Sequence, residues 1–425
     1  MADEYWSSRL MFILVSAGSA VGIGNIWRFP YIAGENGGGT FLLVYLFFVL
    51  MLAIPGIVIE IMAGASTRKP LFAGFKELVG KYWPAGGFPF LINWIILSYY
   101  LVITGWVLYY FFFSLPGTPP SFSEASDSWL LPIFAGITLL IAGAISTAGI
   151  RKGIERLNLY LFPFFVIALL FLFLNTLSLS GVNEAIGFLT TVNLDNITPD
   201  LIMAALTQAI FSLSIGLGIM FTYGEYLHEK EKEKMLGSVG VIAFADTAIA
   251  IISAMVIFTI TFTFALSPSA GPSLAFDSLP IAFSQMPLGN ILMPLFFLML
   301  FCAAMTSIVS SMEVMVNGIR RIDGQRRLGD VAIAVLLLLI LFVPAALSYS
   351  PLKLEFAGMK ILDFLDGVVV ERIAPITTIG MLVVLIWGWK ESRRVMENIF
   401  SKDLGEFFYL LLKYVLPLVL LIEFF

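Results

Sequence analysis

Gly18, Gly22 and Gly24 surround Ser19, Ala20 and Asn25 in one long apolar stretch, and Gly216 and Gly218 follow Phe211-Ser212-Leu213-Ser214 in another. Glycine weakens a helix by about 1 kcal/mol relative to alanine, so both stretches are expected to break near their middles. A broken helix can do chemistry that an intact one cannot. Its freed carbonyl oxygens can coordinate a cation, and the exposed amides of the following half-helix attract a carboxylate. Close packing against a neighbouring helix would equally account for Gly18-x-x-x-Gly22, and the pattern by itself leaves both readings open. Two charges also lie within apolar stretches, Arg28 in the first and Glu60 in the second. Such charges are costly in a membrane unless paired or hydrated, although Glu60 has the plainer reading of a membrane-edge residue. Hydrolytic chemistry finds no support. The one histidine, His228, sits among Glu229, Lys230, Glu231 and Lys232; no His-Glu-x-x-His pattern occurs; and the single cysteine, Cys302, can form no internal disulfide.

Helices must carry these groups. Of the 425 residues, 59% are hydrophobic and 12% charged, against roughly 25% charged in soluble domains. Many apolar runs reach the roughly 20 residues that cross a bilayer core, and helices rather than barrel strands are then the spanning elements. Candidate spans run over 9–30, 39–62, 88–114, 130–147, 154–178, 199–226, 237–266, 290–320, 328–348, 366–389 and 404–424, about eleven in all. This is an all-α polytopic membrane protein with the lipid bilayer as its surroundings. With the N-terminus cytoplasmic, the inner loops collect Arg68, Lys69, Lys76, Lys81, Arg151, Lys152, Arg156, Lys230, Lys232, Lys234, Arg320, Arg321, Arg326, Arg327, Lys390, Arg393, Arg394 and Lys402, whereas the outer loops hold little beyond Lys353 and Lys360. The positive-inside rule therefore predicts a cytoplasmic N-terminus, an outside C-terminus and a place in the plasma membrane. The start of the chain lacks the basic segment and cleavage site of a signal peptide, so the first span is expected to be retained. A net charge of −5 without a basic patch gives no reason to expect a nucleic-acid partner. Outer loops carry Glu124, Asp127, Glu184, Asp195 and Asp277, and the Pro/Gly/Ser segment 267–289 is long enough to act as a lid. Lys413, inside the final span, must snorkel or lie near a late helix start.

The run Gly18-Ser-Ala-Val-Gly-Ile-Gly-Asn-Ile-Trp-Arg-Phe-Pro30, followed by Glu35-Asn-Gly-Gly-Gly39, closely resembles the neurotransmitter:sodium symporter family, including its prokaryotic amino-acid:sodium symporters. The likeness continues at Tyr99-Tyr100, Lys152-Gly-Ile-Glu-Arg156, Phe211-Ser-Leu-Ser-Ile-Gly216, Gly271-Pro272, Leu279-Pro-Ile-Ala-Phe283 and Thr306-Ser307, in the family order. It implies a LeuT-like 5+5 inverted repeat with helices 1 and 6 broken at mid-membrane: a first repeat over 1–178, an inverted second repeat over 199–389, and an eleventh helix over 404–425. The usual twelfth helix is missing, a loss expected to spare transport because the repeats occupy the first ten.

The resemblance also implies residue roles. One sodium ion is expected among the Ala20 carbonyl, Asn25, Ser212 and Asp246, with the substrate carboxylate completing the shell. A second is expected among the carbonyls of Gly18, Val21 and Ala303 and the hydroxyls of Thr306 and Ser307, although a hydroxyl in a helix often bonds back to its own backbone. All these donors are hard oxygens, as a hard cation needs. Substrate contacts fall to Ser19, Ala20, Gly22, Gly24, Ile96, Tyr100, Phe211, Ser212, Ser214, Gly216, Leu217 and Ser311, with Tyr100 donating to the carboxylate and Phe211 closing as a thin outer lid. Leu217 stands where a related leucine carrier has phenylalanine, and no position offers a formal charge to the substrate side chain, so a neutral, apolar or aromatic L-amino acid is expected. Arg28 and Asp366 are expected to pair across the outer vestibule, and Glu60 to receive backbone amides of the sixth helix. At the inner side the family's arginine–aspartate pair appears reversed as Asp3 and Arg321, near Trp6 and braced by Tyr226. Animal relatives use a bound chloride; here Ala250 replaces the chloride-site serine and Asp246 carries a fixed negative charge, so chloride is not expected. The function implied is sodium-coupled amino-acid import by alternating access, and not an enzyme activity. A receptor that binds without translocating, or a channel of the same fold, remains the alternative, and neither the exact substrate nor the oligomeric state follows from the sequence.

Overall fold

In the computed structural model, which describes residues 5–117, 119–266, 274–320 and 327–418, the apolar stretches fold as helices that are numbered here as spans. Span 1 is the bent pair Arg9–Ala20 and Gly24–Glu35, with 52° between its halves. Span 2 is Gly39–Thr67, span 3 Gly87–Ser114, span 4 Leu130–Thr147 and span 5 Ile150–Thr176. Span 6 is split into Pro199–Ser212 and Ile219–Glu225. Spans 7 to 10 are Met235–Thr263, Gly289–Ile319, Arg327–Ser348 and Ile361–Gly388, and span 11 begins with Lys402–Leu410 and continues through Leu411–Val415. The chain is thus a multi-pass membrane protein, helical almost throughout. Leu140, Ile167, Phe244 and Leu336 point outward, each more than 60% exposed, which suits a surface wetted by lipid rather than water.

The two breaks arise differently. In span 6 the chain turns through positive φ at Ser214 (55°), Gly216 (75°) and Gly218 (76°), a region in which an L side chain is strained. In span 1 no residue of the break has positive φ; the helix stops because Val21 is extended, at φ −78° and ψ 109°. Glycine serves there to admit neighbours: a Cβ on Gly22 would lie 2.8 Å from the Tyr100 hydroxyl, and one on Gly18 would lie 2.1 Å from Asn158 Oδ1. In span 1 the glycines thus serve close packing, and in span 6 they serve the break. Between spans 2 and 6 the approach is closer still. A Cβ on Gly224 would come within 2.0 Å of the Ile61 carbonyl oxygen, so small residues let the two backbones touch.

Span 8 forms the centre of the bundle, packing on spans 1, 3 and 5. Within the expected lid, residues 267–273 lie outside the described residues. The remainder folds inward: Phe276 contacts Trp27, Trp106, Tyr110, Phe122 and Phe297, and the Asp277 carboxylate accepts from the Phe122 amide at 2.8 Å. Lys413 lies level with the end of span 10, its carbonyl accepting from Trp387 Nε1 at 3.0 Å and its ammonium donating to the Tyr409 hydroxyl at 3.0 Å. The polar group that looked awkward inside a span thus reaches aromatic partners of the kind found at a membrane interface.

Candidate functional site

The breaks of spans 1 and 6 face each other, and between them and spans 3 and 8 lies a cavity. Of the residues expected around a substrate, Ser19, Ala20, Gly22, Gly24, Ile96, Tyr100, Phe211, Ser212, Ser214, Leu217 and Ser311 line it. Gly216 does not; its amide turns away to donate to Glu60 Oε2 at 3.0 Å. Ile219, which the sequence reading missed, adds to the apolar wall. Polar groups gather at one end, where the Tyr100 hydroxyl accepts from the Ile23 amide at 2.9 Å and also meets the Ser307 hydroxyl. The other end is built from Ile96, Leu217, Ile219 and the hydroxyls of Ser214 and Ser311, which can seat a neutral side chain and offer no ion pair.

Beside the polar end, three of the four residues expected around the first ion form one knot. Asn25 Nδ2 donates to Asp246 Oδ1 at 2.6 Å and to Ser212 Oγ at 3.1 Å, and Ser212 Oγ donates to Asp246 Oδ2 at 2.7 Å. Ala20 lines the same cavity as Asn25 and Ser212. Tyr45, not anticipated, donates to Asp246 Oδ2 at 3.3 Å; a buried tyrosine within an apolar span needs such a partner, and that need was the overlooked signal. The second set is assembled less completely. Ser307 Oγ reaches span 1, 3.1 Å from the Ser19 carbonyl and 3.3 Å from that of Val21. Thr306 bonds back to the Ala303 carbonyl of its own helix at 2.8 Å, the ordinary arrangement for a helical hydroxyl. Gly18 lies just before, at the contact with Asn158.

A second cavity lies beyond Phe211 and is lined by Arg28, Asp366, Trp27, Tyr31 and Tyr99. Phe211, Tyr100 and Gly24 line both cavities and so form the partition between them. Arg28 donates to Gln208 Oε1 at 2.7 Å and lies over the Phe211 ring at 5.4 Å. Glu60 is fully buried and accepts from the amides of Gly216 and Phe221, at 3.0 and 3.4 Å, on either side of the break in span 6.

Asp3 and Arg321 lie outside the described residues. At the end of the bundle that carries the N-terminal segment, Trp6 and Tyr226, both named for the inner gate, meet groups the sequence reading did not name for it: Glu225, Glu313, Asn317, Arg320 and Arg327. Trp6, 1% exposed, donates from Nε1 to the Tyr223 carbonyl at 3.0 Å. Tyr226 donates to Glu313 at 2.9 Å, Arg327 pairs with Glu313 at 2.5 Å, Arg320 pairs with Glu225, and Asn317 donates to Glu225 at 2.5 Å. Glu225 and Glu313 are acids at the ends of apolar spans, the same signal that singled out Glu60, and were passed over.

Comparison with known proteins bears on the family and the fold. A family model described as the sodium:neurotransmitter symporter family matches residues 3–135 and 132–425. A protein of Bacillus subtilis (strain 168) named as an uncharacterised sodium-dependent transporter is 30% identical over 99% of this chain and 96% of its own length. A counterpart from Haemophilus influenzae, named likewise, is 31% identical over 99% of this chain and 97% of its own length. The crystal structure of MhsT in complex with L-phenylalanine has a TM-score of 0.88 at 34% identity, covering 99% of this chain and 98% of MhsT.

Proposed function

The chain belongs to the sodium:neurotransmitter symporter family, and from that premise we propose that it imports a neutral, apolar or aromatic L-amino acid, driven by sodium influx and alternating access, with its N-terminus cytoplasmic. The observation that carries this reading is the single cavity whose polar end joins the Tyr100 hydroxyl to the Asn25–Ser212–Asp246 knot and whose other end is apolar and uncharged. The substrate carboxylate takes the Tyr100 proton in a hydrogen bond and lies beside the first sodium ion. Asn25 turns its amide so that Oδ1, rather than Nδ2, faces the ion, and the Asp246 carboxylate supplies the negative charge. A second ion sits among Gly18, Val21, Ala303, Thr306 and Ser307, for which the Thr306 hydroxyl need only point its lone pair inward. The charge of Asp246 makes chloride unnecessary. Phe211 closes the pocket outward, and the Trp6–Tyr226–Glu313 assembly closes it inward. The binding of L-phenylalanine by MhsT, whose fold this chain shares, favours an aromatic substrate.

The test is uptake of radiolabelled L-phenylalanine and L-leucine into proteoliposomes. Saturable uptake that vanishes without a sodium gradient is expected, and Asn25→Ala or Ser212→Ala should weaken substrate affinity and raise the sodium requirement together. Sodium-dependent binding without uptake would replace this reading with that of a receptor.

A further inference from the structure

Asn158 in span 5 has no solvent exposure, and its Oδ1 has no hydrogen-bond partner. Its Nδ2 donates to the Ile154 carbonyl at 2.9 Å. Since a carbonyl can only accept, that bond fixes the amide with nitrogen against its own helix and oxygen turned outward. The oxygen points at the first span: a Cβ on Gly18 would lie 2.1 Å from Oδ1, so Oδ1 occupies the space a side chain at position 18 would need. A leucine of similar size would pack in span 5 without burying an unpartnered oxygen, and a group left in that condition calls for a ligand the protein atoms do not supply.

The location supplies the candidate. Span 8 packs against both span 1 and span 5, and Gly18, which Asn158 Oδ1 faces, belongs to the set of Gly18, Val21, Ala303, Thr306 and Ser307 assigned above to the second ion. An amide oxygen is a hard, neutral donor of the kind an alkali cation accepts. We propose that Asn158 Oδ1 is a further ligand of the second sodium ion, supplied by span 5. The inference rests on the sodium-site reading above and extends it. At its inner end span 5 already grips the N-terminal segment, Glu155 accepting from the Ser7 amide at 2.7 Å and Arg151 donating to the Tyr5 carbonyl at 2.9 Å. A cation held jointly by spans 1, 5 and 8 therefore ties together the helices that close the inner side, and its departure releases span 5 from span 1.

The experiment measures equilibrium binding of radioactive sodium to purified wild type, Asn158→Leu, Asn158→Ala, Asn158→Asp and Thr306→Ala, with melting temperature recorded for each. Loss of the oxygen in the leucine and alanine variants is expected to weaken one class of sodium site about tenfold, equivalent to about 1.4 kcal/mol. The aspartate variant, which keeps an oxygen, should bind at least as tightly as wild type. Wild-type sodium affinity in whichever of the leucine and alanine variants folds, with Thr306→Ala weakened, overturns the role of Asn158 alone and leaves it a packing residue. Absence of saturable sodium binding in the wild type overturns both this proposal and the transport reading on which it rests.

Discussion

Asp246 accepts hydrogen bonds from Asn25, Ser212 and Tyr45 while wholly buried, and a carboxylate so placed is costly to keep unless a cation joins it. Asparagine at this position would keep the size and much of the hydrogen bonding but lose the charge. Asp246→Asn is therefore expected to raise the sodium concentration needed for half-maximal uptake at least about tenfold, and wild-type uptake is expected to be unchanged when gluconate replaces chloride; a chloride requirement in the wild type would show that the carboxylate does not serve as the counter-charge. Specificity is argued from Leu217, on the apolar wall of the cavity next to Gly218. Leu217→Phe fills space in a pocket already bounded by Ile96 and Ile219, and one methylene more or less in such a pocket is worth about 1–3 kcal/mol. The variant should lose affinity for phenylalanine by about tenfold or more relative to leucine, read by competition against a labelled substrate. Equal losses for both would mean that the side chain lies elsewhere.

At the scale of helices, apolar runs could be read as spans because a bilayer demands length and continuity; among the described residues eight helices, or nine with the bent span 1, are long and apolar enough to cross, while spans 6 and 11 are built of shorter pieces. How each helix breaks could not be read so directly. The glycines of span 6 adopt positive φ, whereas those of span 1 make room for Tyr100 and Asn158, and composition is the same in the two cases. The break in span 6 also depends on a residue far away in sequence. Glu60 holds the amides of both Gly216 and Phe221 with its two oxygens, and glutamine has only one oxygen to offer. Glu60→Gln should leave a buried amide unpartnered, at a cost of about 1–3 kcal/mol, lowering the melting temperature by several degrees and depressing uptake; an unchanged melt would show that the turn holds its shape unaided. Packing supplies a second check between the same helices, because Gly224→Ala would press a methyl group against the Ile61 carbonyl. Overpacking of this kind costs about 1–3 kcal/mol, and reduced yield of folded protein is expected.

Across the whole molecule, Phe211 stands between the two cavities, and Trp6, Tyr226 and Glu313 are joined at the end of the bundle that carries the N-terminal segment. The family motifs pointed to the pocket residues in advance because most lie within a local signature and Ile96, Leu217 and Ser311 lie close to one, but the ion pairs join span 6, span 8 and the start of span 9 through charges separated by long stretches of sequence. Arg320 and Arg327 had been read simply as inner-loop cations obeying a charge bias. The structure gives them partners, Glu225 and Glu313, with Glu313 only 1% exposed. Removing Glu313 strands Arg327, whose side chain is 27% exposed, so the cost falls between the about 0–1 kcal/mol of a surface ion pair and the about 3–5 kcal/mol of a buried one. Two transport states differ by only a few kcal/mol, so a change of that size redistributes them. Glu313→Gln strands Arg327 and removes an acceptor from Tyr226 only in the inward-closed arrangement, and it should therefore shift the protein toward the inward-open state. Ser16, buried in the first half of span 1, offers a place to observe this. In a Cys302→Ser background, the Ser16→Cys protein should react slowly with a polar thiol reagent added from the inner side, and Glu313→Gln should accelerate that reaction several-fold while slowing net uptake. Pairing Glu313→Gln with Arg327→Gln removes the stranded charge and should return the labelling rate toward the original value. If the double variant labels as fast as the single one, the ion pair does not hold the inner side shut.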